Sequence, residues 1–270
     1  MPHLRSSFWL CFSLLALSLS AAAKPTAPAP DAPIVLILAG QSNMIGQGVR
    51  SDLLPAQRAM PPNVEFIEEG RKGPIALASS FGPELALAHE LAAAFPHRKF
   101  RLLKFAVGTT SIRVWSPDWS EADARVTENE SFGALYPRLL GFLQQHLRVD
   151  EPAPHAVLWF QGERDARFAA AAPDYGPRLA QFVTRLRSDL RAPSSWFVHG
   201  VVNPPYAHTA EVVAAQRALS QQLPRVKLVE SEGLTKRSDK LHYDTAGQWE
   251  LGRRFAREII ATLSPPSPAG

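Results

Sequence analysis

An apolar run that ends in a tight polar turn constrains this chain more than any other stretch. Residues 34–38 read Ile-Val-Leu-Ile-Leu, and Gly40-Gln41-Ser42-Asn43 follows shortly after them. A continuous apolar run bounded by turn residues is typical of a strand that is buried on both faces of a parallel sheet. In open α/β sheets, ligands bind at the carboxyl ends of the strands. We therefore expect Ser42 to lie at a functional edge of such a sheet.

Segments with strand and helix character alternate through the rest of the chain. Short apolar runs predict further strands at 64–67, 101–107, 155–160, 196–202 and 226–229. Apolar residues spaced by three and four, together with cap and turn residues, predict helices at 83–95, 135–147, 175–190, 209–223 and 251–263. Repeated strand-then-helix units predict a parallel sheet that is covered by helices on both faces.

The ends of the chain differ in composition from the rest. Residues 1–23 combine Arg5, an apolar stretch and three terminal alanines, which predicts a cleaved signal peptide and a secreted or periplasmic protein. The apolar stretch is shorter than the roughly 20 residues of a membrane span, so we expect no stable membrane insertion. Residues 24–33 form a Pro/Ala-rich leader, 34–263 suit one domain, and 264–270 are a tail.

Composition excludes several classes of function. Cys11 is the only cysteine and lies in the predicted signal peptide, so the mature chain has neither a disulfide nor a cysteine-ligated metal. The formal net charge is only +4 and the arginines are scattered, which argues against nucleic-acid binding. Asp239, His242 and Asp244 lack a recognisable zinc spacing. We expect no metal and no cofactor.

Four polar segments follow predicted strands and should meet at one edge of the sheet. They are Gly40-Gln41-Ser42-Asn43, Gly108-Thr109-Thr110-Ser111, Gln161-Gly162-Glu163 and Asp239-Lys240-Leu241-His242. A serine hydroxyl becomes a nucleophile when a base removes its proton and a carboxylate orients that base. Ser42, His242 and Asp239 supply these three groups.

An acyl-transfer reaction also needs hydrogen-bond donors for the oxyanion that forms. The backbone amides of Ser42 and Gly108 and the side-chain amide of Gln161 are the predicted donors. A different enzyme class, a glycosidase built on Glu163 and Asp165, is disfavoured because these carboxylates are two residues apart on one segment.

The same segments resemble the motif blocks of the sialate O-acetylesterase and acetylxylan esterase group of the SGNH hydrolases, carbohydrate esterase family six. The blocks are Gly40-Gln41-Ser42-Asn43-Met44, Ala106-Val107-Gly108-Thr109-Thr110-Ser111-Ile112 with Trp115, Trp159-Phe160-Gln161-Gly162-Glu163-Arg164-Asp165, and Asp239-Lys240-Leu241-His242. The resemblance implies a flavodoxin-like three-layer α/β/α sandwich with a central parallel sheet. It also implies metal-free hydrolysis of acetyl esters on carbohydrates through an acyl-serine.

By the same resemblance, Ser42 is the nucleophile, His242 the base, Asp239 its orienting acid, and Gly108 and Gln161 are oxyanion donors. Two positions depart from the family pattern, since many relatives have glycine at Thr109 and histidine at Phe160.

Three further residues of these blocks are auxiliary candidates. They are Gln41, Asn43 and Glu163, and Glu163 is also a second candidate for the role of Asp239.

Trp115 and Trp119 flank a loop after the second block. Two interpretations stay open, an aromatic wall for a sugar ring and apolar packing of the loop.

Two alternatives to a carbohydrate O-acetylesterase also stay open. One is a lipid or thioester hydrolase of the wider SGNH group, and the other is a non-catalytic carbohydrate-binding protein on the same fold. The sequence specifies neither the acetylated sugar nor an oligomeric state.

Overall fold

The computed structural model describes residues 32–69 and 79–264. The predicted signal peptide, residues 24–31 of the leader and residues 265–270 of the tail lie outside these ranges. No helix in the described ranges has the length and apolar character needed to cross a membrane.

The predicted strands and helices are present in the predicted order, with boundaries shifted by a few residues. The strands are β1 (Ile34–Gly40), β2 (Gly48–Val49), β3 (Val64–Glu69), β4 (Ser80–Phe81), β5 (Phe100–Ala106), β6 (Ala156–Phe160), β7 (Trp196–Gly200) and β8 (Val226–Val229). The helices are α1 (Ser42–Ile45), α2 (Pro83–Ala94), α3 (Glu121–Arg125), α4 (Leu135–His146), α5 (Tyr175–Asp189), α6 (Thr209–Gln222) and α7 (Thr245–Leu263). Sequence patterns did not identify the short elements α1, α3, β2 and β4.

Six strands form one parallel sheet in the order β3-β5-β1-β6-β7-β8, and β2 pairs with β4 in a separate antiparallel ribbon. From β1 the chain builds one side of the sheet with β3 and β5, and then crosses β1 to add β6, β7 and β8. The side on which strands are added to the sheet therefore switches at β1. In such a sheet, a crevice opens at the carboxyl end of the strand where this switch occurs.

Helices cover both faces of this sheet. Side chains alternate along β6, where Trp159 contacts Phe182 of α5 while Phe160 contacts Tyr243, just before α7. Helix α5 packs against α6, and α7 packs along α2. The predicted three-layer α/β/α sandwich with a central parallel sheet is confirmed.

The end of β1 is tightly confined by β6. Gly40 has a φ of 146°, and a Cβ atom placed on it would lie 2.1 Å from the carbonyl oxygen of Phe160. The next amide, that of Gln41, donates to the same oxygen at 2.9 Å. Only glycine permits both this backbone conformation and this approach.

We predict that Gly40→Ala destabilises the protein by about 2–4 kcal/mol, because the added methyl group would overlap the Phe160 carbonyl. Urea unfolding monitored by circular dichroism measures the change. Gly141→Ala is the control, since Gly141 lies inside α4 and a methyl group added there would meet no neighbouring element within 4 Å. The control should raise stability by up to about 1 kcal/mol. Equal stability of the two variants would contradict the prediction.

Candidate active site

The polar segments that follow the strands surround one small cleft, as their order in the sheet predicts. It is lined by Gln41, Ser42, Thr109, Glu163, Arg164, Arg167, Tyr206, Leu241 and His242. Within the described ranges, no three His, Cys, Asp or Glu side chains are grouped so as to hold a metal ion. The lining residues supply hydroxyl, imidazole, carboxylate and guanidinium groups to the cleft.

Ser42, His242 and Asp239 form a continuous hydrogen-bonded series. Ser42 is the first residue of α1, and its Oγ lies 3.0 Å from His242 Nε2. His242 Nδ1 lies 2.8 Å from Asp239 Oδ2. The structure thus brings together the serine, imidazole and carboxylate, 200 positions apart at their extremes, in the order that removes a proton from a serine.

Local hydrogen bonds keep Asp239 ionised. Its Oδ1 accepts from the backbone amides of Leu241 and His242, each at 2.9 Å. Burial alone would raise the pKa of Asp239, but the His242 side chain and these two amides outweigh it and lower the pKa to about 2. An ionised carboxylate only accepts hydrogen bonds, so Nδ1 carries the imidazole proton and Nε2 is left to accept from Ser42.

Two backbone amides lie next to the Ser42 hydroxyl without partners. The amides of Ser42 and Gly108 make no hydrogen bond within the part of the chain that the structure describes. A Cβ atom placed on Gly108 would lie 3.9 Å from Ser42 Cβ, so the two residues are neighbours. This pair of amides has the composition of an oxyanion hole.

Thr109, one of the two departures from the family pattern, lines the cleft in a left-handed conformation with a φ of 64°. Such a conformation costs a residue other than glycine about 1 kcal/mol or more, which explains why glycine suits this position. The buried side chain of Asn129 holds the turn by accepting from the Ser111 amide at 2.7 Å and donating to the Thr109 carbonyl at 3.1 Å. The loop therefore keeps its shape without the glycine.

Contrary to the prediction, Gln161 does not face the cleft. It is fully buried, and its Nε2 donates to Asp165 Oδ2 at 2.6 Å and to the Thr110 carbonyl at 2.9 Å. Both amide hydrogens are consumed by these contacts. The prediction that Gln161 is an oxyanion donor is therefore wrong in this structure, and its observed contact is with the loop that contains Gly108.

Of the three auxiliary candidates, Gln41 and Glu163 line the cleft and Asn43 lies next to it. Gln41 Oε1 lies 3.4 Å from both Gln161 Nε2 and the Arg164 amide. Asn43 Nδ2 donates to Glu163 Oε1 at 2.9 Å. Asp239, rather than Glu163, accepts the hydrogen bond from His242 Nδ1.

The two tryptophans do not form a wall of the cleft. Trp115 is fully buried, donates from Nε1 to Thr110 Oγ1 at 3.0 Å and meets Trp159 edge-on at 5.2 Å between ring centroids. Trp119 is partly buried against the core and does not line the cleft. Of the two interpretations, these contacts favour apolar packing of the loop over an aromatic wall for a sugar ring.

Sequence reasoning missed Arg167 and Tyr206 in the lining. Arg167 lies two residues beyond the third motif block, and Tyr206 follows β7, whose carboxyl end opens on the same edge of the sheet. The position of Tyr206 after a strand was an available signal, because β7 itself was predicted.

The model of the family described as carbohydrate esterase, sialic acid-specific acetylesterase, matches residues 33–261. The chain belongs to this family. Membership confirms the resemblance carried by the four motif blocks and makes the protein an esterase by family, for which an acetylated carbohydrate is the implied substrate.

Relatives of this carbohydrate esterase agree with that placement. The chain is 26% identical to the "probable carbohydrate esterase" of Arabidopsis thaliana over 259 residues, which is 89% of this chain and 95% of the relative. A crystal structure of that plant protein superimposes with a TM-score of 0.71 at 24% identity, covering 85% of this chain and 98% of the other.

Two other solved structures share the fold. A carbohydrate acetylesterase from Xanthomonas citri matches with a TM-score of 0.65 at 18% identity, covering 83% of this chain and 55% of that one. A protein from Parabacteroides merdae that is described as a putative GDSL-like lipase matches with a TM-score of 0.55 at 11% identity. The match covers 86% of this chain and 97% of that one. The chain therefore has the SGNH hydrolase fold.

Phe160, the second departure from the family pattern, supports the cleft from the core. Its ring is buried and meets the ring of Tyr243 edge-on at 5.8 Å between centroids. Tyr243 directly follows His242, so an apolar contact supports the histidine loop at this point.

Asp165 is a buried carboxylate that braces the loop after β5. Its Oδ2 accepts from Gln161 Nε2 at 2.6 Å and from the Ile112 amide at 3.0 Å. Burial raises the pKa of Asp165 to about 7, although the hydrogen bonds from Gln161 and Ile112 and the charge of Arg113 act in the opposite direction.

We predict that Asp165→Asn flattens the dependence of stability on pH. The folded protein binds this proton more tightly than the unfolded chain, where the pKa is near 3.8. The stabilisation is therefore complete below about pH 4 and is lost as the pH rises through about 7. The drop in unfolding free energy between pH 5 and pH 8, measured with urea, should be smaller in the variant. Identical drops in both proteins would contradict the raised pKa.

Proposed function

We propose that the protein is a serine esterase that hydrolyses O-acetyl groups from carbohydrates through an acetyl-Ser42 intermediate. The observation that carries the proposal is the series of contacts from Ser42 Oγ through His242 to Asp239, beside two unpartnered amides. Family membership supports the acetylated carbohydrate as substrate.

The first half of the reaction forms the acetyl-enzyme. Ser42 Oγ attacks the acetyl carbonyl carbon while His242 Nε2 accepts its proton, and the resulting oxyanion faces the amides of Ser42 and Gly108. As the intermediate collapses, the bond to the sugar oxygen breaks and His242 donates the proton to that oxygen. Asp239 stabilises the imidazolium throughout.

The second half returns the free enzyme. His242 removes a proton from a water molecule, which attacks the acetyl carbonyl of Ser42. Collapse of this second intermediate breaks the bond to Ser42 Oγ, and His242 returns the proton to the serine. Acetate leaves as the second product.

The size of the cleft supports acetyl transfer over lipid hydrolysis. Its volume is about 70 Å³, which is small beside the roughly 300–1,000 Å³ of typical ligand pockets. Most of its lining residues are polar or charged. A long acyl chain would extend beyond this cleft.

The charge at the rim of the cleft supports an anionic carbohydrate. Arg167 is exposed, and its guanidinium makes no hydrogen bond or ion pair within the described residues. A carboxylate on the sugar, near the acetyl group, would supply the missing partner. We further propose that the protein acts outside the cytoplasm, which the composition of residues 1–23 supports.

We predict that residues 24–270 release acetate from an acetylated carbohydrate and that Ser42→Ala reduces this rate by at least about 10³-fold, because the nucleophile is lost. The substrates are acetylated xylan, an O-acetyl sialic acid and acetylated peptidoglycan. Rates on 4-nitrophenyl acetate and octanoate give the chain-length preference, and the acetate should be strongly preferred. Full activity of Ser42→Ala would refute the mechanism, and preference for octanoate would favour a lipid hydrolase.

We predict that Arg167→Gln raises KM for an O-acetyl sialic acid about fivefold, corresponding to about 1 kcal/mol for a partly exposed charge pair. KM for a neutral acetylated xylo-oligosaccharide should not change. Arg191→Gln is the matched control, because it makes the same change in net charge at an exposed site between α5 and β7, on the opposite edge of the sheet. Equal effects on both substrates would exclude charge recognition by Arg167.

A further inference from the structure

Asn43 connects the nucleophile turn to the loop that carries His242. It is 1% exposed and directly follows Ser42 in α1. Its Oδ1 accepts from the Tyr243 amide at 3.1 Å, and its Nδ2 donates to the Leu241 carbonyl at 3.3 Å. One side chain therefore holds the residues on both sides of His242.

The histidine loop depends on such a connection because many of its other hydrogen bonds are internal. The Arg237 amide donates to the His242 carbonyl, and the Lys240 amide donates to the Arg237 carbonyl. Asp239 accepts from the amides of Leu241 and His242. These contacts give the loop its shape. They do not set its distance from Ser42.

Glu163 determines which way the Asn43 amide points. Its Oε1 accepts from Asn43 Nδ2 at 2.9 Å. A carboxylate in this position must face the amide nitrogen, which leaves the amide oxygen for the Tyr243 N–H. With the opposite orientation, two oxygens would meet at Glu163 and two N–H groups would meet at Tyr243.

The burial of Glu163 indicates that this contact has a specific role. The residue is 2% exposed, and its Oε2 has no hydrogen-bond partner in the described structure. Burial raises the pKa of Glu163, although the Asn43 bond and the nearby charges of His242 and Lys236 oppose the change. Burying a carboxyl group costs free energy. Because Glu163 is not bonded to the imidazole, we infer that it acts through Asn43, the residue that it contacts.

We propose that Asn43 and Glu163 form one positioning unit that sets the distance between Ser42 Oγ and His242 Nε2. The inference rests on the proposed esterase activity, in which these two atoms exchange the proton. Glu163 acts by accepting the Asn43 hydrogen bond, and Asp239 remains the group that orients the imidazole. A displacement of about 1 Å at such a proton-transfer contact lowers turnover by up to about 100-fold.

The test compares kcat and KM for wild type, Asn43→Ala, Glu163→Ala, Glu163→Gln and the double alanine variant on 4-nitrophenyl acetate. We expect both single alanine variants to lose about 30- to 100-fold in kcat with KM changed less than about threefold. Glu163→Gln keeps an accepting oxygen and should retain kcat within about fivefold of wild type. The double variant should be no worse than the poorer single one, because the residues act as a unit.

Asn63→Ala is the matched control for a lost structural amide. Asn63 Nδ2 donates to the carbonyls of Phe95 and Arg98, at the amino-terminal edge of the sheet. This variant should keep the wild-type kcat even if its stability is lower. Thermal unfolding of every variant shows whether it is folded, and the Glu163 pair decides the outcome if Asn43→Ala fails to fold.

Each failure has its own signature. The proposed function itself is refuted if the Ser42→Ala variant keeps wild-type activity, or if the folded wild-type protein has no activity. With that activity established, wild-type kcat in folded Asn43→Ala or Glu163→Ala overturns the positioning unit. A Glu163→Gln variant as slow as Glu163→Ala, or additive losses in the double variant, also overturns it, because the carboxylate would then act by its charge or independently of Asn43.

Discussion

The close approach of β1 to β6 at Gly40 is the constraint on which the cleft depends. Strand β1 is bonded to β5 and β6 along its length, and at its end Gln41 N donates to the Phe160 carbonyl while Val107 N donates to the Gly40 carbonyl. These hydrogen bonds fix the backbone of the chain as far as Gln41. Ser42 then begins α1, and the unpartnered Gly108 amide lies beside it because β5 ends at the same level as β1.

A buried ion pair supports the same turn from below. Lys104 on β5 is fully buried, and its Nζ donates to the Ile45 carbonyl at 2.8 Å and to Glu84 Oε2 at 2.7 Å. Glu84 in turn accepts from the Gly82 amide at 2.8 Å. A buried ammonium group is tolerated only where such partners surround it. The short helix α1, which could not hold its shape alone, is therefore anchored at both ends.

Three carboxyl groups around the cleft show how environment separates the roles of similar side chains. Asp239 is partly exposed and surrounded by donors, so it stays ionised and can stabilise a protonated His242. Asp165 and Glu163 are buried, and burial raises the pKa of each. They contact amide side chains rather than the imidazole. The number of donors and the access of water distinguish these groups, and neither is visible in the motif blocks.

The sequence by itself determined the alternation of strands and helices, the edge at which the polar turns meet, and the family. These follow from apolar periodicity and from topology, since the carboxyl ends of parallel strands share one edge.

The directions of individual side chains were decided by the tertiary structure. Gln161 and Trp115 belong to the motif blocks yet point into the interior, because the two hydrogens of the Gln161 amide are taken by Asp165 and Thr110, and the Trp115 ring fills the core. Conversely, Arg167 and Tyr206 reach the cleft from outside the blocks. Hydrogen-bond partners distant in sequence, such as Asn43 and Tyr243, meet only once the sheet has assembled, and those contacts decide which polar residues face the cleft.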